Sequence, residues 1–160
     1  MIRCEKREKA NKKIVWLMLT ILWTVIIFTF TLQPGNTSSN LSGSILSKIL
    51  AWFAPDILND AGKLYLWHSV FRKCAHFAEY FVLGIFSANM FSEMGIKHKV
   101  LFSIGLCMLV AAIDETLQRF VPGRAGRITD VLIDSSGALC AILIYLLLKR
   151  NIRNDNVQGI

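Results

Sequence analysis

From Ile14 to Leu32 the chain runs 19 residues without a charged side chain. A helix needs ~20 residues to cross the ~30 Å of hydrocarbon in a bilayer. Three further apolar runs follow, at about residues 69–91, 100–121 and 130–148. At ~1.5 Å of rise per residue each can cross with some tilt. The expected fold is therefore all-α: an integral membrane four-helix bundle, one domain over residues 1–160, in or against the bilayer. The hydrophobic content of 54% fits this class, against ~45–50% in soluble domains.

The breaks between runs agree. Gln33-Pro34-Gly35-Asn36 stops the first span and Pro122-Gly123 the third, since Pro and Gly bias the chain toward turns. Ser69 stands where span two needs an N-cap. Between spans one and two, Leu41–Leu58 spaces Ile45, Leu46, Ile49, Leu50, Trp52 and Phe53 as an amphipathic helix does. Such a helix is expected to lie along the outer interface, as a cap over the bundle or as a lid guiding a lipid. The first run is longer than a secretory signal core and precedes no small-residue cleavage site, so it reads as a permanent anchor.

The net charge of +7 would point to nucleic acid in a soluble protein. Here it is explained by orientation and anionic lipid, and neither nucleic acid nor a soluble partner is expected. Arg3, Lys6, Arg7, Lys9, Lys12 and Lys13 precede span one; Lys97 and Lys99, then Lys149, Arg150 and Arg153, share its side in a four-span topology. The opposite side holds fewer: Lys48, Lys63, Arg72, Lys73, Arg119, Arg124 and Arg127. The bias places both termini in the cytoplasm. Cys4, Cys74, Cys107 and Cys140 read as free thiols that act as small hydrophobes.

Charges inside such spans are costly and mark function. Arg72, Lys73, His76 and Glu79 fall early in span two. Asp114, Glu115, Gln118 and Arg119 close span three, and Asp130 and Asp134 open span four, after Arg124 and Arg127 in the connection. Alternating helix direction brings all three groups to one membrane face, with Glu79 and Asp114 roughly 10–15 Å inside their helix ends. Within each group, spacings of three, four or seven residues give one polar stripe per helix, and the stripes are expected to turn inward and meet. Ala75, Ala78, Gly84, Ala111, Ala112 and Gly137 are small enough to let helices approach.

The blocks Arg72–Tyr80 with Leu83-Gly84, Asp114–Arg124 and Asp130–Gly137, with Leu32-Gln33-Pro34-Gly35 before them, resemble the signature blocks of the VanZ-like membrane proteins. The resemblance covers about residues 14–148. It implies a bacterial cell-envelope protein and, through the family's namesake, an effect on teicoplanin susceptibility. The His76/Glu79 block resembles one branch and is altered in the namesake. Asp134 stands where the family often carries Asn, which adds a negative charge.

Several readings of the polar residues stay open. A register network would pair the acids with Arg72, Arg119, Arg124 and Arg127. An enzyme would use His76, Glu79, Asp114, Glu115, Gln118, Asp130 or Asp134 as acid/base groups. Arg72, Lys73, Arg119, Arg124 and Arg127 would then hold a phosphate-bearing lipid or lipid-linked wall precursor. No cofactor is required, although His76, Glu79, Glu115 and Asp130 make a mixed set that suits a divalent metal. A non-enzymatic binder would use the same mouth to shield such a lipid.

Overall fold

In the computed structural model, the backbone is described for residues 2–158 and the side chains for residues 7–151. The charges of Arg3, Lys6 and Arg153 and the thiol of Cys4 lie outside the described residues. The described chain is all helical: α1 (Ile2–Thr31), α2 (Gly35–Phe53), a short 3-10 turn (Pro55–Asn59), α3 (Ala61–Glu93), α4 (Lys99–Gln118) and α5 (Ile128–Gln158). Three of these are long and apolar enough to cross a membrane: Arg7–Thr31, Lys99–Gln118 and Ile128–Asn151. Helix α3 has 33 residues but is not among them; Lys63, Arg72, Lys73, His76 and Glu79 make its first nineteen residues polar.

Helix boundaries differ from the expected ones for local reasons. The basic tail continues as the first turns of α1 instead of leading into it. Helix α2 begins directly after Pro34, so the Pro-Gly turn breaks the chain over only a few residues. The cap of α3 is Asp60, not Ser69: its Oδ1 accepts from the N–H groups of Gly62 and Lys63, both at 3.0 Å. A carboxylate there satisfies two orphan donors and complements the helix dipole. Helix α4 stops at Gln118 and closes into a turn before Pro122.

Side chains tie the helices pairwise and set their directions. Trp16 and Trp23 both pack on Phe86, with centroids 6.1 and 6.0 Å apart, and Trp23 Nε1 donates to the Glu79 carbonyl at 2.9 Å. These contacts run α1 antiparallel to α3. Phe91 against Phe102 and Ser87 against Cys107 run α4 antiparallel to α3 as well. Helices α3 and α5 run parallel, with His76 beside Asp134 and Gly84 beside Ala141, and they lie very close. A Cβ on Gly84 would meet the Ala138 carbonyl oxygen at 2.7 Å and the Ala141 Cβ at 3.0 Å. Small residues make that approach feasible.

The apolar core is narrow: Ile27, Tyr80, Leu83, Cys107, Val110, Ala111 and Ala138. Most other large apolar side chains face outward, among them Ile14, Met18, Leu22, Leu101, Leu109, Leu132 and Leu147. Patches of that extent need an apolar surrounding, which a bilayer supplies. Cys74, Cys107 and Cys140 are free thiols, as expected.

Candidate functional site

The three polar groups meet, beside the end of α1. Asp114, Glu115, Gln118 and Asp134 are buried, and His76 is half-buried. One ligating atom from each of His76, Asp114, Glu115 and Asp134 lies within 4.8 Å of all the others. The helix spacing explains the choice. On α5, Asp134 sits one turn deeper than Asp130 and takes the buried place. On α4, the consecutive Asp114 and Glu115 both reach the cluster. Depths differ from expectation because α3 starts at Ala61, putting Glu79 ~27 Å along it, and α4 stops at Gln118. Asp114 lies ~6 Å from its own helix end and Asp134 ~9 Å from its own.

Asp114 is held from three sides. Thr31 Oγ1 donates to its Oδ1, Tyr80 Oη donates to its Oδ2 at 3.2 Å, and Gln118 Nε2 approaches Oδ1 at 3.5 Å. Glu115 accepts at Oε2 from the Arg127 backbone N–H at 2.8 Å. That bond depends on the connection after α4 folding back over the helix end. A Cβ on residue 126 would collide with the Glu115 carbonyl oxygen, so only Gly126 fits there.

Other oxygens of the same acids are bare. Among the described residues, Glu115 Oε1, both Asp134 carboxylate oxygens, His76 Nδ1 and Ser135 Oγ are buried without a hydrogen-bond partner. His76 Nδ1 stands 3.4 Å from Asp134 Oδ1. Charge-assisted bonds are nearer ~2.7–2.9 Å, so this contact is an ion pair at most.

Two cavities open beside the cluster and share Arg72, His76 and Arg124. The outer one, of about 330 Å³, is lined by Arg72, Lys73, Arg124, Arg127, Asp130, Tyr65, His68 and Ser69 among others. The inner one, of about 220 Å³, adds Glu79, Asp114, Gln118, Thr31 and Gln33, with apolar Ile27, Leu41 and Ile45. The outer cavity gathers four Lys/Arg side chains against the single carboxylate of Asp130.

The expected residues therefore separate into places. His76, Asp114, Glu115 and Asp134 form the centre, with Gln118 behind Asp114. Glu79 lines the inner cavity, while Asp130, Lys73 and Arg127 line the outer one. Arg119 is exposed and lines neither cavity. The four-residue metal-competent group replaces Glu79 and Asp130 of the expected set with Asp114 and Asp134. Pairing of acids with arginines is also not what forms: among the described residues, no ion pair joins an acid to Arg72, Arg119, Arg124 or Arg127. Thr31, Tyr80 and His68 were not anticipated. Tyr80 closes the Arg72–Tyr80 block but carries no charge to mark it, and Thr31 ends an otherwise apolar run.

A family model described as VanZ/LLP1 matches residues 16–149, a span that includes every residue of this cluster. Neither the curated proteins nor the solved structures compared with the chain give a match.

Proposed function

Because the chain belongs to the VanZ/LLP1 family and carries a cationic notch over a buried acid cluster, we propose that it acts on a phosphate-bearing lipid. The lipid would be a phospholipid or a lipid-linked cell-wall precursor. The observation that carries this reading is the outer cavity, where Arg72, Lys73, Arg124 and Arg127 converge above His76. Guanidinium groups offer a planar fork of donors that matches phosphate. The inner cavity, with its apolar wall of Ile27, Leu41 and Ile45, gives an acyl or prenyl chain an apolar path beside the headgroup.

In this reading α3 is a fourth membrane span, its charges turned into the notch, and α2 lies along the outer interface. Leu41, Ile45, Ile49 and Trp52 lie exposed along α2, which suits a helix resting on headgroups. Both termini are then cytoplasmic and the notch opens outward, where wall precursors are used. Change in their access or structure would alter teicoplanin susceptibility.

The acid cluster supplies the chemistry. Glu115, held at Oε2 and bare at Oε1, has one oxygen fixed and one free to take a proton or a cation. A network serving helix register alone would satisfy its members, since each buried unpaired carboxylate is a liability. Bare oxygens on Asp134 and Glu115 favour a site.

The test compares ligands that differ only in phosphate. Purified full-length chain in detergent is titrated with a polyprenyl phosphate and with the matching polyprenol, following tryptophan fluorescence. The phosphate form binds, and Arg72→Ala with Arg127→Ala weakens it by ~10-fold or more. Glu115→Gln keeps binding and loses turnover. Equal affinity for the alcohol and the phosphate would sink the reading.

A further inference from the structure

We propose that His76, Asp114, Glu115 and Asp134 are the ligands of one divalent transition-metal ion, of the manganese or zinc class. Three helices supply the donors, one each from α3 and α5 and two from α4. Their ligating atoms lie within 4.8 Å of one another. The ligands of a tetrahedral metal with bonds of ~2.1 Å lie ~3.4 Å apart, so the side chains would draw together by about an ångström to close the shell.

The second observation is how the hydrogen bonds are divided. Asp134 has 0% relative exposure, yet among the described residues neither of its oxygens has a donor. Glu115, 3% exposed, is fixed at Oε2 by the Arg127 N–H while Oε1 stays bare. Asp114 is oriented by Thr31, Tyr80 and Gln118. Glu115 is thus steadied at one oxygen and bare at the other, as a metal ligand is; Asp134 keeps both oxygens open, and Asp114 has a donor on each. Without a cation, three carboxylates packed so closely repel one another, and beyond the 3.4 Å contact of His76 with Asp134 their bare oxygens are desolvated without compensation.

The donor set selects the ion. Three carboxylates and one imidazole suit Mn²⁺ or Zn²⁺. Calcium takes oxygen ligands (six to eight, ~2.3–2.6 Å away), and the His76 imidazole in the set argues against it. A divalent ion would cancel two of the three carboxylate charges. The ion's role rests on the phosphate-lipid reading: next to the outer cavity it would polarise a phosphoryl oxygen as a Lewis acid. Whether it binds does not depend on that reading.

The experiment uses the full chain in detergent, stripped with EDTA and dialysed. MnCl₂ is titrated in while free Mn²⁺ is followed by its six-line paramagnetic resonance spectrum, and ZnCl₂ is then added as competitor. One Mn²⁺ binds per chain and Zn²⁺ displaces it. Asp134→Asn and Glu115→Gln each weaken binding by ~100-fold or more, while Tyr80→Phe, which only loosens Asp114, costs ~10-fold. Arg72→Ala with Arg127→Ala abolishes selection for polyprenyl phosphate without lowering Mn²⁺ affinity, which separates the two proposals. Circular dichroism reports folding. Should Asp134→Asn not fold, Glu115→Gln and the unaltered chain decide. Failure of the unaltered chain to bind either ion, or undiminished binding in folded Asp134→Asn or Glu115→Gln, overturns the site.

Discussion

Arg124 illustrates how much at the residue scale depends on partners far away in sequence. Its Nε donates to the Gln33 carbonyl at 3.0 Å and its Nη2 to the Phe30 carbonyl at 2.7 Å. These carbonyls lie at and just past the C-terminal end of α1, where a cation complements the dipole. Burial, followed by the nearby charge of Arg72, pulls its pKa below the usual arginine range. Arg124→Ala is expected to lower stability by ~1.5–3 kcal/mol, the scale of bonds to a charged group, read as a lower thermal midpoint. Arg124→Lys should recover little, since an ammonium lacks the fixed fork. The sequence marked Arg124 as a cation beside a turn. It could not name its acceptors, because backbone carbonyls carry no residue signature.

Helix α3 is the central element, packing against α1, α4 and α5. Its closest neighbour is α5, and the two helices approach tightly at Gly137 against Phe77 and at Gly84 against Ala138. Gly84→Ala is expected to cost ~1–3 kcal/mol by forcing the helices apart, and Gly84→Leu more. Gly105→Ala is the control. Nothing lies within 4 Å of a Cβ there, so that change should leave stability level or raise it by ~0.5–1 kcal/mol through reduced chain entropy. Thermal unfolding in one detergent compares the three. The small residues on α3 and α5 were visible in the sequence as an ability to pack. Which pair would touch was not, since parallel packing of α3 on α5 is set by the register of the whole assembly. At the opposite end, Ser92 Oγ accepts from Lys149 Nζ at 2.7 Å and from Lys99 Nζ at 3.2 Å. The cations expected on one side of the membrane thus also tie α4 and α5 to the end of α3.

For the whole molecule, the proposed topology makes a direct prediction. With Cys74, Cys107 and Cys140 replaced by Ala and Cys4 by Ser, single cysteines are placed at Trp52, Lys97 and Lys149 in intact cells. A membrane-impermeant maleimide should label position 52 and miss positions 97 and 149. Labelling at 97 together with 52 would rule out α3 as a span. The sequence by itself determined the all-helical class and three of the four expected spans, because hydrocarbon accepts only long runs whose backbone bonds close internally. It also determined that the polar stripes would converge, because charges cannot face lipid cheaply. Only the tertiary structure decided which side chains form the centre: Asp134 over Asp130, Asp114 over Glu79, and Arg119 turned away. A period of 3.6 residues assigns a side chain to a stripe, but the rotation of each helix and its contact with its neighbours select the turn that reaches the middle.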